Sequence, residues 1–571
     1  MPTVLHRLSS WADSQPETPA QCYKAGNAWQ TITAREYRDR VFYLALFLEA
    51  RGFTPGDIGA ILSYNCPQWV HMDLAPLLLG AKSAGMYPNS SAKDIAYIFE
   101  HTRAKVLSVQ NAAYYKKVGG KLPASIELVV VFDGDTSVSS KAVSYEAALK
   151  EGKALAQGRK FIDYLARVNR NAGAFLIYTS GTTGNPKGAV LTHDNLAFTS
   201  DVVARAWGLK RGGGRSTFSF LPLCHVAEKM QNIGVGISSR YAVYHASTFD
   251  NVSSEIVEVQ PTVLLSVPRL WEKMMEGVEK KVASGKGVKK HLAHWSFDVG
   301  ARVAEKRFSG RNPGLADIAQ LKLADGLVLS KVRHALGLGK IERAASGAAA
   351  LAAPVSKWFR KLGIEVLEDY GQTESTGVIC MTEPGVDCAG TVGRPPKEME
   401  FKLGDDGEML TRGRHVFLGY YENDAATAET LKDGWLYTGD LGELTATGLL
   451  RIRGRKKEIM KTSGGKMTAP VPIEERIKEL PAISQACMVG DGRKYLSALV
   501  TLNEKETPAI AEQVKAHIDS VNRSLAGYEQ IKQFRILPED FSVDKGEMTP
   551  TLKLKRAVIE KNYQGMIDSM Y

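Results

Sequence analysis

The chain has 571 residues, 44% of them hydrophobic and 24% charged. That balance excludes a disordered chain, a collagen-like fibre and a small disulfide scaffold, and at about 150 residues per domain it leaves room for three or four domain-sized units. Lysine and arginine number 73 against 62 acidic residues, a net charge of +11. Such an excess favours anionic partners (nucleotides, nucleic acid or acidic lipid) without choosing among them. Cys22, Cys66, Cys224, Cys380, Cys388 and Cys487 form no C-x-x-C pair, so neither a zinc ribbon nor a redox dithiol is indicated, and six thiols over this length fit a reducing cytosol. The N-terminal M-P-T-V-L-H-R lacks an apolar h-region, and the apolar stretches Phe42–Leu48 and Ala75–Ala81 fall short of the ~18 residues of a membrane span. A cytoplasmic protein is expected, with at most peripheral contact to an acidic membrane.

In chain order, Ala34–Ala50 carries helical spacing, and Gly59–Ser63, Ala104–Val109 and Leu128–Phe132 read as buried strands. Val252–Val259 reads as a helix, and Thr262–Ser266 and Ile364–Leu367 as further strands. The alternation predicts α/β layers with largely parallel sheets. The charge-rich stretch 285–326 predicts surface helices, and 407–453, rich in Gly, Asp and Tyr, a β-rich subdomain. A boundary near Gly454 divides a large N-terminal unit, 1–454, from a small α+β domain, 455–571. In the latter, Pro472 fits the first position of a helix, Glu474 and Glu475 its first turn, and Ile473, Ile477 and Leu480 one face before Pro481. Ala486–Val489 and Leu496–Leu502 flank Asp491-Gly492, a hairpin signal.

The most informative segment is Tyr178-Thr-Ser-Gly-Thr-Thr-Gly-Asn-Pro-Lys187-Gly. Thr179, Ser180, Thr182 and Thr183 supply hydroxyls, Gly181 and Gly184 let backbone N–H groups approach an anion, and Lys187 adds a point charge. Those are the needs of a polyphosphate, although a flexible Ser/Gly loop has the same composition. It is not a Walker A loop, because Pro186 precedes the lysine and Gly188 follows it. Apolar Ala174–Ile177 and Ala189–Leu191 predict that it joins two strands, with a helix starting at Thr192 or Asp194. The pairs Gly337-Leu-Gly339 and Gly234-Val-Gly236 lack the third glycine of a dinucleotide fingerprint.

This string resembles the signature loop of the adenylate-forming superfamily, which includes acyl-CoA synthetases, luciferases and peptide-synthetase adenylation domains. Further motifs follow in that family's order and carry the resemblance over nearly the whole chain. Leu221-Pro-Leu-Cys-His225 resembles the acyl-pocket segment, placing His225 at the substrate carboxylate; the alternatives are a core histidine or, with Glu228, an H-x-x-E metal pair. Ser346-Gly347-Ala348 resembles the turn against adenine, departing from the commoner Gly-Gly-Ala-Pro form. Asp369-Tyr370-Gly371-Gln-Thr373-Glu374 implies a stacking Tyr370, a phosphate-binding Thr373 and an Mg²⁺ carboxylate, Glu374, with Thr179 as a second metal contact. Asp440 and Arg455 would hold ribose and phosphate, and Lys457 would be the hinge. Gly464, Gly465 and Lys466 resemble the strand bordering the pantetheine tunnel. Lys553, in Thr551-Leu-Lys553-Leu-Lys555, aligns with the catalytic lysine, with Lys555 the competing assignment and a solvated basic face the bland one.

The resemblance implies ATP- and Mg²⁺-dependent conversion of a fatty acid to its acyl adenylate with release of pyrophosphate, then transfer to coenzyme A. Alternatives are another acid or acceptor, such as a carrier protein, and a non-catalytic nucleotide-binding protein. A monomer or homodimer is expected, with no nucleic-acid partner: residues 451–571 hold 21 Lys+Arg against 16 Asp+Glu, the other 450 residues 52 against 46, and phosphate handling accounts for the denser excess.

Overall fold

The computed structural model describes residues 2–119, 122–179, 185–503, 505–549 and 553–571. Ile58–Leu62 is buried at every position and has parallel neighbours on both sides, Lys82–Met86 and Val106–Val109. A strand covered on both faces must be apolar throughout, and that is why it reads as a run and not an alternation. The sheet built around it continues on one side through Leu128–Val131 to Ala142–Ser144 and on the other through Gly173–Thr179 and Lys187–Thr192 to the edge pair Gly419–Tyr420. Gly85 in this sheet allows a close approach: a Cβ there would lie 2.8 Å from Cys224 Cβ and 2.8 Å from Trp69.

A second eight-stranded sheet runs Cys380–Met381, Val366–Tyr370, Arg343–Ser346, Val263–Ser266, Ser216–Ser219, Ala242–His245, Pro19–Ala25, Ala28–Thr33, parallel except at its two edges. Helices fill the layers. Ala34–Glu49, started by a Thr33/Glu36 capping box, gives more residues to the main hydrophobic core than any other described helix, and Val252–Val259 forms where its spacing predicts. The segment 285–326 supplies Gly287–Phe308 and Leu315–Ala324, both surface helices as expected. The β-rich subdomain is an antiparallel sheet centred on Trp435–Leu444, which pairs with Glu408–Arg412, Leu431–Lys432 and Leu450–Arg455.

In the C-terminal segment, Ile483–Val489 and Leu496–Leu502 form the antiparallel pair flanking Asp491-Gly492, and Ile531–Ile536 adds in parallel. Alternate residues face different cores: Ala486 and Met488 meet the helices Pro470–Ile477 and Pro508–Asn522, while Cys487 and Val489 meet Ile559, Ile567 and Met570. The first of those helices starts two residues before Pro472. Pro470 takes the first position, and Pro472 fits inside the first turn because the N–H it lacks has no intrahelical acceptor there. Glu474 therefore falls beyond the first turn and is buried.

Candidate active site

The strand pair Gly173–Thr179 and Lys187–Thr192 places Thr179 opposite Lys187 at the mouth of the sheet. Ser180, Gly181, Thr182, Thr183 and Gly184 lie outside the described residues. Thr192 caps the following helix, His193–Ala206, in a reciprocal box with Asn195. The edge strand Gly419–Tyr420 lies against Ala189–Val190 and brings in a residue that carried no sequence signal, Tyr420. Its ring centroid is 5.0 Å from Lys187 Nζ, and its hydroxyl donates to Glu374 Oε1 at 2.5 Å. One aromatic thus joins the lysine of the phosphate loop to the carboxylate expected to meet magnesium.

Across the cleft, Val366–Tyr370 is buried throughout and ends in Asp369 and Tyr370. The Tyr370 hydroxyl donates to Asp440 Oδ2 at 2.7 Å, and Arg455 Nε lies 3.0 Å from Asp440 Oδ1. Asp440 and Arg455 are direct partners in the β-rich sheet, so pairing register sets this contact. Gly371 turns the chain where a Cβ would sit 2.4 Å from the Gly377 carbonyl, leading into the single turn Thr373–Ser375, whose Thr373 and Glu374 are buried. Gly347 faces Asp369 so closely that a Cβ would lie 2.4 Å from Oδ1, and Ala348 takes a left-handed φ of 69°. Asp369 Oδ1 and Ser346 Oγ are buried without hydrogen-bond partners. Burial pushes the Asp369 carboxyl up to about 7 and that of Glu368, where Asp369 adds to it, up to about 8.

An orphaned acceptor and an orphaned hydroxyl beside a glycine-lined gap suit a flat ligand carrying an amine, such as adenine, while Asp440 can accept ribose hydroxyls on its spare lone pairs. Among the described residues no group of three or more His, Cys, Asp or Glu could hold a metal alone. That fits magnesium, which takes one or two carboxylates and otherwise keeps waters and substrate phosphates. Glu228, the second member of the H-x-x-E pair, accepts through Oε1 from Ser219 Oγ at 2.6 Å and Asn65 Nδ2 at 3.3 Å inside the core.

Lys553 meets this cleft from the C-terminal segment. Its N–H donates to Thr549 Oγ1 at 3.0 Å and its carbonyl accepts from Thr549 N–H at 2.8 Å. The residue is exposed at the cleft mouth, yet protein crowds its ammonium. Desolvation and then Arg455 hold its pKa below the usual lysine value, against the pull of Asp440, Glu458 and Glu374. Burial, with the Lys553 charge, brings His225 down to about 4, so its ring is neutral near pH 7; its Nδ1 accepts from Ala227 N–H at 3.3 Å. Lys555 instead sits at the start of the helix Arg556–Asn562.

Two family descriptions match: AMP-binding enzyme over residues 8–421 and AMP-binding enzyme C-terminal domain over 457–571. The chain belongs to the AMP-binding enzyme family. It is 33% identical over 573 residues to the long-chain-fatty-acid–CoA ligase FadD15 of Mycobacterium tuberculosis, covering 95% of this chain and 92% of that protein. It is equally similar, over 608 residues, to the long-chain-fatty-acid–CoA ligase ACSBG2 of Rattus norvegicus, covering 97% and 90%. The crystal structure of the anthranilate CoA ligase AuaEII with anthranoyl-AMP shares the fold at a TM-score of 0.76 and 20% identity, over 99% of this chain and 98% of that one. The o-succinylbenzoate CoA synthetase of Bacillus subtilis with its acyl-adenylate does so at 0.71 and 21%, over 98% of each.

Two sets of expected residues stand apart from this cleft. Lys457 is exposed in the turn Lys456–Glu458, 3.5 Å from Glu429. Gly464, Gly465 and Lys466 lie in the exposed turn between the strands Met460–Lys461 and Met467–Thr468, a turn and not the strand expected of them. A feature without any motif lies behind His225: Lys229 and Asp73 form a buried ion pair at 2.5 Å, with Ser83 Oγ donating to Asp73 and the Lys229 ammonium 4.7 Å from the Trp69 ring and 4.5 Å from Phe175. The partners are 156 positions apart, so sequence could not pair them.

Proposed function

We propose that this AMP-binding enzyme activates a fatty acid in two half-reactions, forming an acyl adenylate from ATP with release of pyrophosphate and then an acyl-CoA with release of AMP. The observation that carries the reading is the convergence of Lys553 with Tyr370, Asp440, Arg455 and Glu374 at one cleft, although they come from two separate sheets, a single helical turn and a C-terminal loop. Full-length similarity to fatty-acid–CoA ligases supports the acid class.

In the first half-reaction a carboxylate oxygen attacks the α-phosphorus and the bond to pyrophosphate breaks. Both partners are anions, so the chain's task is positioning and neutralisation. Asp440 and Arg455 orient the ribose, Asp369 and Ser346 receive the base, and Tyr370 buttresses Asp440. Lys553 and Lys187 supply positive charge to the oxygens, and neutral His225 lines the carboxylate's approach without adding to the repulsion. Glu374, with Thr179, would hold magnesium, which would supply positive charge to offset that of the phosphates. In the second half-reaction the thiol sulfur attacks the acyl carbon, AMP leaves, and the thiol proton passes to solvent. We assign 1–454 to the first unit and 455–571 to a second that turns about Lys457, withdrawing Lys553 and presenting Gly464, Gly465 and Lys466 to coenzyme A.

Incubation with ATP, magnesium and acids of graded length, with and without coenzyme A, tests this by mass spectrometry. An acyl-CoA mass dependent on all components is expected; acyl-AMP alone in every case would replace the acceptor. Lys553→Ala should lose pyrophosphate release and still convert supplied acyl-AMP to thioester, whereas Lys555→Ala should keep both.

A further inference from the structure

The net charge has an address that sequence position alone blurs. Residues 280–331 hold 11 Lys+Arg and 4 Asp+Glu, a net +7; residues 451–571 hold +5, and the remaining 398 residues 41 against 42. Most of the excess therefore lies in one helical arm, remote in sequence from every residue of the cleft except Ser346, Gly347 and Ala348.

In Leu315–Ala324, Asp317 turns inward, bonding Arg302 Nε at 3.1 Å, Lys306 Nζ at 2.5 Å and its own helix start at Gly314 N–H, 3.1 Å. Leu321 and Ala324 pack inward, but Leu315 is 88% exposed, Leu323 56% and Ile318 38%, and Leu327 in the following turn 40%. Leu315, Ile318, Ala319 and Leu323 are three to four positions apart and so share one helix face. At the other end of Gly287–Phe308 from Lys306, the first turn exposes Val288 at 82% between Lys286 and Lys289. Lys280, Lys281, Lys286, Lys289, Arg307 and Lys322 have no salt-bridge partner among the described residues, while their neighbours Arg302 and Lys306 are already committed to Asp317. Contiguous outward leucines rimmed by unpaired cations are uncommon on a surface that meets only water.

We propose that this arm, Lys280–Lys331, is a docking surface for an anionic lipid bilayer, lying in the headgroup plane with Val288, Leu315 and Leu323 inserted and the lysines on acidic headgroups. Charge complementarity selects this occupant. A second copy would set +7 against +7, and a nucleic acid would leave the leucines in water. The helices are too short and polar to cross a membrane, since no helix among the described residues is long and apolar enough. The surface shares no residue with the catalytic reading, so either can fail alone.

Flotation of the full chain with phosphatidylcholine vesicles, with and without phosphatidylglycerol, decides the matter. Flotation only with phosphatidylglycerol is expected, weakening at high ionic strength. Lys286→Ala with Lys289→Ala should lower the partition coefficient on the order of 25-fold, at about fivefold per lysine. Leu315→Ser with Leu323→Ser should lower it by a similar factor and leave melting unchanged, since all four side chains are exposed. Equal binding to both vesicle types, no flotation, or flotation indifferent to both double variants would overturn the proposal. So would self-association abolished by the leucine variant, or duplex DNA binding that the lysine variant removes while vesicles are ignored.

Discussion

Asp369 and Lys229 show how differently one residue can be charged inside this protein. Asp369 has an unpartnered oxygen, and its carboxyl is raised from 3.8 to about 7 in the folded chain. The folded state thus binds more protons than the unfolded one between those values, and stability falls as pH rises through that window, the reverse of a salt-bridged carboxylate. Asp369→Asn removes the titration while keeping shape and acceptor. Its melting temperature relative to the native chain should be unchanged near pH 4 and increasingly higher from pH 5 to 8; a difference that stays flat would show Asp369 to be ionised throughout. Adenosine monophosphate should narrow the gap if its amine meets Oδ1. Lys229 is the opposite case, a charge already matched by Asp73. Lys229→Met strands a buried carboxylate and should lower unfolding free energy by about 3–5 kcal/mol, while Lys229→Met with Asp73→Leu should recover much of it. Equal losses in both, read from denaturant midpoints, would mean that the pair contributes nothing beyond packing.

At the scale of elements, the basic string Lys553-Leu-Lys555-Arg556 separates into three tasks. Lys553 faces the cleft, Lys555 begins a helix, and Arg556 is a partly buried clamp whose Nη1 lies 2.6 Å from Glu474 Oε1 and 3.4 Å from Cys487 Sγ. Glu474 also accepts from Met488 N–H at 2.6 Å, so one pair pins the last helices and Pro470–Ile477 to the sheet. Arg556→Gln should therefore lower the melting of the C-terminal segment and impair both half-reactions, in contrast to the selective loss in Lys553→Ala; pyrophosphate release and thioester formation measured side by side distinguish them. Strands buried on both faces, the Thr192 cap and the Asp491-Gly492 connection were legible because local chemistry decides them. The start of Pro470–Ile477 was not, since two prolines compete for the same turn and only Glu474's need for Arg556 sets the phase. Tyr420 escaped because its roles arise from an edge strand paired far away in sequence.

For the molecule as a whole, motif order identified the superfamily and α/β alternation its layers, but strand order across the two large sheets is a matter of distant pairing, and Lys229 with Asp73 became visible only with it. The turn at Gly464 poses the same question in motion. A Cβ at Gly464 would have Thr462 Oγ1 as its nearest contact, at 3.9 Å, and one at Gly465 would meet nothing within 4 Å. Nothing in this arrangement requires a glycine at 464, whose φ lies outside the left-handed region that Gly465 occupies at 78°. If the turn comes to border coenzyme A only after the second unit has rotated, its need for glycine exists solely in that other arrangement. Gly464→Val should then leave melting and acid-dependent pyrophosphate release unchanged and reduce thioester formation at least tenfold, with the loss in the step that consumes acyl-AMP. A variant that forms acyl-CoA at the native rate would remove this turn from the path of the thiol, and with it the reason for Lys457 to act as a pivot. Parallel loss of both half-reactions would instead make the glycine a requirement of folding, which the open space around it argues against.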